Sequence, residues 1–345
     1  HSPVARAELC ASCHIGHVKQ GRIVTHEMYA AGHPPLGAFE IESYLDGMPP
    51  HWTRFESKNQ KLRDDYAKHT GRKFDPDALH RTQSLLLGAV VSFRESMTLT
   101  ADLADDTLNA PLEKPHWPEL SQFACFACHH DLKVNGWRQN RSQAVTPGRP
   151  VLHEWPSALL HVAVEQSRGK LEDFQKRHAA VTNEFSKRPF GKQSDINEPL
   201  REFISLLDTI AEDLAATKLD SAAGLQILTQ LAEIGSTQTL DYDAARQIAW
   251  ALRVVFDECK SSAKIIATKD IAQMEHIVKQ LENHLTLTFS WKQEKKKLTQ
   301  LFPKESAFRE YDEIPLDQTL ARIADYDPSS VRKHFAEFRN LLQKQ

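Results

Sequence analysis

The chain has 345 residues, with 43 Lys+Arg against 46 Asp+Glu and a net charge of −3. That balance excludes the basic excess of a non-specific nucleic-acid binder, and no apolar run of about 18 residues is present to span a bilayer. A hydrophobic content of 41% fits a globular chain of one large domain or two ordinary ones. The opening HSPVARAEL has no apolar segment of the kind a signal peptide carries. A mature chain and a fragment of a longer protein are the two readings left.

Residues 1 to about 80 read as loop-rich with short helices, punctuated by Gly32, Gly37, Gly47, Gly71 and several prolines. Within them, Thr25 to Ala31 reads as a short helix with Thr25 as its N-cap, stopped by Pro34-Pro35. Residues 76–104 give the first long helical pattern, with Leu79, Leu86, Val90 and Met97 at helical spacing. Asn109 to Gln122 is a proline-containing connection, and the polar stretch 133–150 is the best linker. Helices are expected over 155–187, 196–216, 221–234, 241–266, 269–299, 315–324 and 328–344. Asp241 and Asp243 suit the start of one of them, and Ser329 or Ser330 can cap the last. The basic run 292–297 reads as a solvated helix face. No period-two strands, glycine-rich phosphate loops or nucleophile elbows stand out. The fold class is therefore mainly α, with a loop-rich N-terminal half and a C-terminal helical bundle, divided as residues 1–150 and 151–345.

Four of the five cysteines form two pairs of identical spacing, each followed by histidine: Cys10-Ala11-Ser12-Cys13-His14 and Cys125-Phe126-Ala127-Cys128-His129. Two thiols at this spacing reach the two vinyl groups of one porphyrin, and the adjacent imidazole binds its iron. A zinc site built from both pairs and a pair of disulfides are the competing readings. The full five-residue motif occurring twice favours two covalently attached haem c groups. Residues 1–150 then read as a dihaem domain in which loops wrap the cofactor. Cys259, in a helical stretch, is left as a partly buried free thiol.

Thirteen of the 17 histidines lie at or before His161. Each haem iron needs a sixth ligand or leaves that position open. His26 and His33, seven residues apart and sharing one face of a helix, are the leading sixth ligands. His51, after Pro49-Pro50, and His130, directly after the second motif, are reserves. His116, His153 and His161 lie near the second motif, and His17 reads as solvated.

The segments AELCASCHIG, VTHEMYAAGHPPLGAFE, MPPHW and QFACFACHHDL resemble the multihaem c-type cytochromes, in particular the cytochrome c-554-related periplasmic electron carriers. The resemblance covers roughly residues 1–160. It implies that the histidines of the H-E-M-x-A-A-G-H-P block are distal ligands, which adds weight to His26 and His33. Members of that group often carry four or more haems, whereas this chain has two motifs.

The expected function is electron transfer between redox partner proteins outside the cytoplasmic membrane, where haem c is attached in bacteria. At least one haem is expected to be bis-His, and the helical C-terminal half to serve packing, homo-oligomer formation or complex assembly. The alternative is an enzyme with one open haem, of the peroxidase or nitrogen-oxide reductase type. His130, Glu27, Tyr29 or Arg54 would then move protons or polarise substrate.

Overall fold

The computed structural model describes residues 3–33, 36–47, 58–70, 74–105, 107, 117–129, 146, 148–167, 170–261, 266, 268–285 and 326–344. These residues are mainly α-helical. The helices are α1 (Pro3–His14), α2 (His26–Ala30), α3 (Ile41–Gly47), α4 (Gln60–Thr70), α5 (His80–Leu103), α6 (Leu160–Glu165), α7 (Leu171–Lys187), α8 (Gln193–Ala216), α9 (Ser221–Thr237), α10 (Tyr242–Ser261), α11 (Thr268–Leu285) and α12 (Pro328–Leu342). Among the described residues β-pairing is confined to two isolated bridges, His17 with Arg22 and Phe123 with Leu152. None of the described helices is long and apolar enough to cross a membrane.

Helix α5 is the spine. Seventeen of its 24 residues are buried, because it is packed by α1, α3, α6, α8 and α10. Its N-cap position is Leu79, which offers no capping side chain. The Glu258 carboxylate of α10 takes over that role, accepting from Arg81 N at 2.9 Å and Thr82 N at 2.8 Å. The charged residues that α5 buries are paired: Arg94 with Glu8 of α1 at 2.7 Å and Asp208 of α8 at 2.8 Å, and Asp102 with Arg201 of α8 at 2.6 Å. The apolar faces of α8 (Ile196, Leu200, Phe203, Leu207, Ile210, Leu214) and α10 (Ile248, Leu252, Val255, Phe256) close the core. One buried cluster includes Ala7 and Phe39 from the first half and Phe335 and Leu342 from the second.

Several helix expectations change in detail. The stretch 155–187 is broken: a 3₁₀ turn at Trp155–Ser157 precedes α6, and α7 starts only at Leu171. Glu154-Trp155-Pro156 opens this stretch with a proline-containing turn, which favours a short element. Helix α11 ends at Leu285; residues 286–299, 315–324 and the basic run 292–297 lie outside the described residues. The last helix is capped by Asp327 rather than by a serine. Its Oδ1 accepts from Ser329 N at 2.9 Å, with Pro328 at the first helical position. Cys259 is fully buried, and burial pushes its thiol up to about 12.

Helices α9 and α12 pack so closely that a Cβ on Gly235 would lie 2.4–2.5 Å from the Phe335 ring. Replacing Gly235 by Ala is expected to destabilise the fold. Overpacking costs about 1–3 kcal/mol, which outweighs the roughly 0.5–1 kcal/mol that alanine returns in helix propensity. Urea denaturation followed by circular dichroism would measure it, and an unchanged midpoint would contradict this packing.

Candidate cofactor site

Helix α1 ends on the first motif, so Cys10, Cys13 and His14 stand at i, i+3 and i+4 on one helical face. Cys10 is half-buried and Cys13 exposed. Arg6 ties α1 to α5 by donating to Ser84 Oγ at 2.8 Å. The His14 ring stacks on Phe39 (centroids 4.5 Å, planes 11° apart) and meets the edge of Tyr44 at 5.0 Å. Burial pulls its imidazole below the usual range. That favours the neutral form, the one that binds metal. Phe39 is fixed in turn by Gln247 of α10, whose amide donates to its carbonyl at 2.9 Å. Glu40, next in sequence, is buried; its carboxylate accepts from Glu42 N at 2.8 Å and Ser43 N at 2.7 Å. Burial pushes Glu40 up to about 7.

The second motif lies in a short turn. A 3₁₀ segment over Cys125–Ala127 is closed by His129 N donating to Cys125 O at 2.8 Å. Cys125, Cys128 and His129 are exposed. The turn is pinned to the following chain by Ala124 N to Val151 O at 2.9 Å and by His153 Nε2 against Ser121 O at 3.0 Å.

Helix α2 comes to this second motif. His26 and His129 have ring centroids 6.2 Å apart and planes 26° apart. Glu119 sets the approach: one carboxylate oxygen accepts from His26 N at 2.8 Å and from Ser121 N at 2.9 Å. It thereby joins the first turn of α2 to the turn that leads into Cys125. Thr25 caps α2 as its sequence suggests, accepting from Met28 N at 3.3 Å. The helix ends earlier than the seven-residue register of His26 and His33 requires. Gly32 sits at φ +101 with His33 N donating to Met28 O at 2.9 Å, a glycine-terminated turn. His33 therefore lies beyond the helix, exposed, with its ring 6.3 Å from Tyr29. Among the described residues no ring pair joins His33 to His14.

The reserve ligands His51 and His130, together with His116 and Arg54, lie outside the described residues. His161 is half-exposed and pairs with Glu165 at 3.1 Å. His153 is half-buried, and desolvation pulls its imidazole below the usual range. His17, read as solvated, is half-buried with Nδ1 enclosed and without a hydrogen-bond partner. The bridge to Arg22 folds it inward.

Sequence reasoning misses Glu119 and Glu40, whereas the acidic start of α10 follows from Asp241 and Asp243 as expected. Asp241 is buried and held well above the usual carboxylate range by burial and then by Glu154 and Asp243. Its carboxylate caps α10 by accepting from Ala244 N at 2.7 Å. Partial desolvation and then the negative charges of Asp243 and Asp241 push the Cys125 thiol up. Glutamate is a weak capping signal, so nothing in the letters singles out Glu119.

No protein-family model, curated protein or solved structure matches the chain.

Two outcomes follow from this geometry. Glu119→Ala should cost about 1–3 kcal/mol by leaving two N–H groups unpaired, whereas Glu119→Gln, which keeps a carbonyl acceptor, should cost less; chemical denaturation separates them. Glu40 is raised from an ordinary value of 4.5 to about 7, so its folded form holds a proton that the unfolded chain releases. Its contribution is complete below about pH 4.5 and lost by about pH 7, a fall of about 3 kcal/mol. Stability measured from pH 4.5 to 7.5 should show this fall in the parent chain and not in Glu40→Gln.

Proposed function

We propose that the chain is a dihaem c-type cytochrome that carries electrons between redox partner proteins outside the cytoplasmic membrane. Cys10 with Cys13, and Cys125 with Cys128, attach the two porphyrins, and His14 and His129 bind the irons from the proximal side. The bound haem supplies one-electron chemistry at iron.

One observation carries the reading: the 6.2 Å separation of the His26 and His129 rings. Rings brought this near would let His26 join His129 as a ligand of the second haem, with Glu119 holding the start of α2 beside the motif. At the first haem, His14 would be the proximal ligand and His33 is the proposed second one. Phe39 and Tyr44 orient the His14 ring and keep water from one side of it. In this reading the N-terminal half wraps its cofactors, and the helical C-terminal half supports them and supplies a surface for assembly.

Bis-His ligation saturates iron and leaves no substrate position, which favours the carrier over the enzyme. Intact-mass spectrometry should find the mass of two haems on the chain; a haem-free polypeptide would sink the proposal. Electron paramagnetic resonance of the oxidised protein should show low-spin iron at the second haem. His26→Ala should convert that iron to high spin, and an unchanged spectrum would remove the ligand assignment. A high-spin signal in the parent protein would instead identify an open haem and an enzyme.

A further inference from the structure

Helices α11 and α12 bring a second imidazole pair together, far along the sequence from both cysteine motifs. His284, one residue from the end of α11, and His334 of α12 have ring centroids 5.1 Å apart with planes at 39°. Glu337, one turn along α12 from His334, places Oε2 3.6 Å from His334 Nδ1. That nitrogen is buried and makes no hydrogen bond. His284 is exposed, so the group opens to solvent on one side.

From these positions we infer a binding site for a zinc-class divalent transition metal, held by His284, His334 and Glu337 and completed by water. The separations decide the class. Two imidazoles on a tetrahedral metal, with bonds of about 2.0 Å, have centroids about 5.2 Å apart. Neighbouring donor atoms in such a shell are about 3.4 Å apart. The observed 5.1 Å and 3.6 Å match both, whereas trans ligation at about 6.3 Å does not. Two imidazoles and a carboxylate with an open position suit zinc, and nickel or copper less selectively. Among the described residues no group of three or more His, Cys, Asp or Glu is arranged to hold a metal ion as it stands. Closing the site therefore needs a side-chain adjustment, which the exposed His284 can make. A bound ion would staple the end of α11 to α12.

The test is isothermal titration of Zn²⁺ into the full chain as purified, alongside the variants His284→Ala, His334→Gln, Glu337→Gln and His276→Ala. His276 lies two turns earlier on α11, where its ring meets Gln280 at 3.4 Å, and serves as the control. One ion per chain is expected, with affinity falling more than about tenfold in His284→Ala and His334→Gln and unchanged in His276→Ala. Zn²⁺ should also raise the melting temperature of the parent chain and leave that of His284→Ala unmoved. His284 is exposed, so loss of folding does not confuse that variant; circular dichroism confirms it. Equal affinity in the parent chain and His284→Ala, or no one-to-one binding in the parent chain, overturns the site. Neither result bears on the haem reading, since the two groups share no residue.

Discussion

Everything in this architecture depends on the burial of α5. A helix hidden on nearly all sides must meet apolar surface on several faces at once, and α1, α3, α6, α8 and α10 supply it. The two charged residues it buries are tolerated because both are answered: Arg94 by carboxylates of two other helices, Asp102 by Arg201. Left unpaired, such groups would cost several kcal/mol each. This frame fixes α1, and with it the first cysteine pair, while α10 fixes Phe39 beneath His14.

The second cysteine motif is held differently. Its cysteines and histidine lie in an exposed turn, outside the apolar core. Order there comes from polar links: Glu119 to His26 and Ser121, His153 to Ser121, and Ala124 to Val151. A buried carboxylate that accepts two backbone N–H groups is directional in a way that apolar contact is not. It holds the first turn of α2 beside the turn that leads into Cys125.

Much of this was legible in the letters. The long apolar periodicities of α5, α8 and α10, the Thr25 cap and the two cysteine motifs all follow from local rules. The place of His26 at the start of a short helix capped by Thr25 was legible too. What the letters conceal is long-range. Glu119 is 93 residues from His26, and no local pattern marks such a bond. The end of α2 is set by Gly32 rather than by Pro34, so the shared face assigned to His26 and His33 fails by one turn. His17 reads as a solvated loop residue because its enclosure depends on a bridge to Arg22. The His284–His334 pair is equally invisible, since its members are separated by 50 positions and meet only through helix packing.

The carboxylate of Glu258 has one further consequence, which concerns the order of assembly. The opening turn of α5 is completed by a side chain 176 and 177 positions further along. During synthesis, α1 and α5 leave the ribosome long before α10 does. For that interval the leading end of the spine has exposed amide groups and an uncovered apolar face. The cysteines of both motifs precede the residue that finishes the frame, so their thiols are presented on a chain that has not yet closed around them.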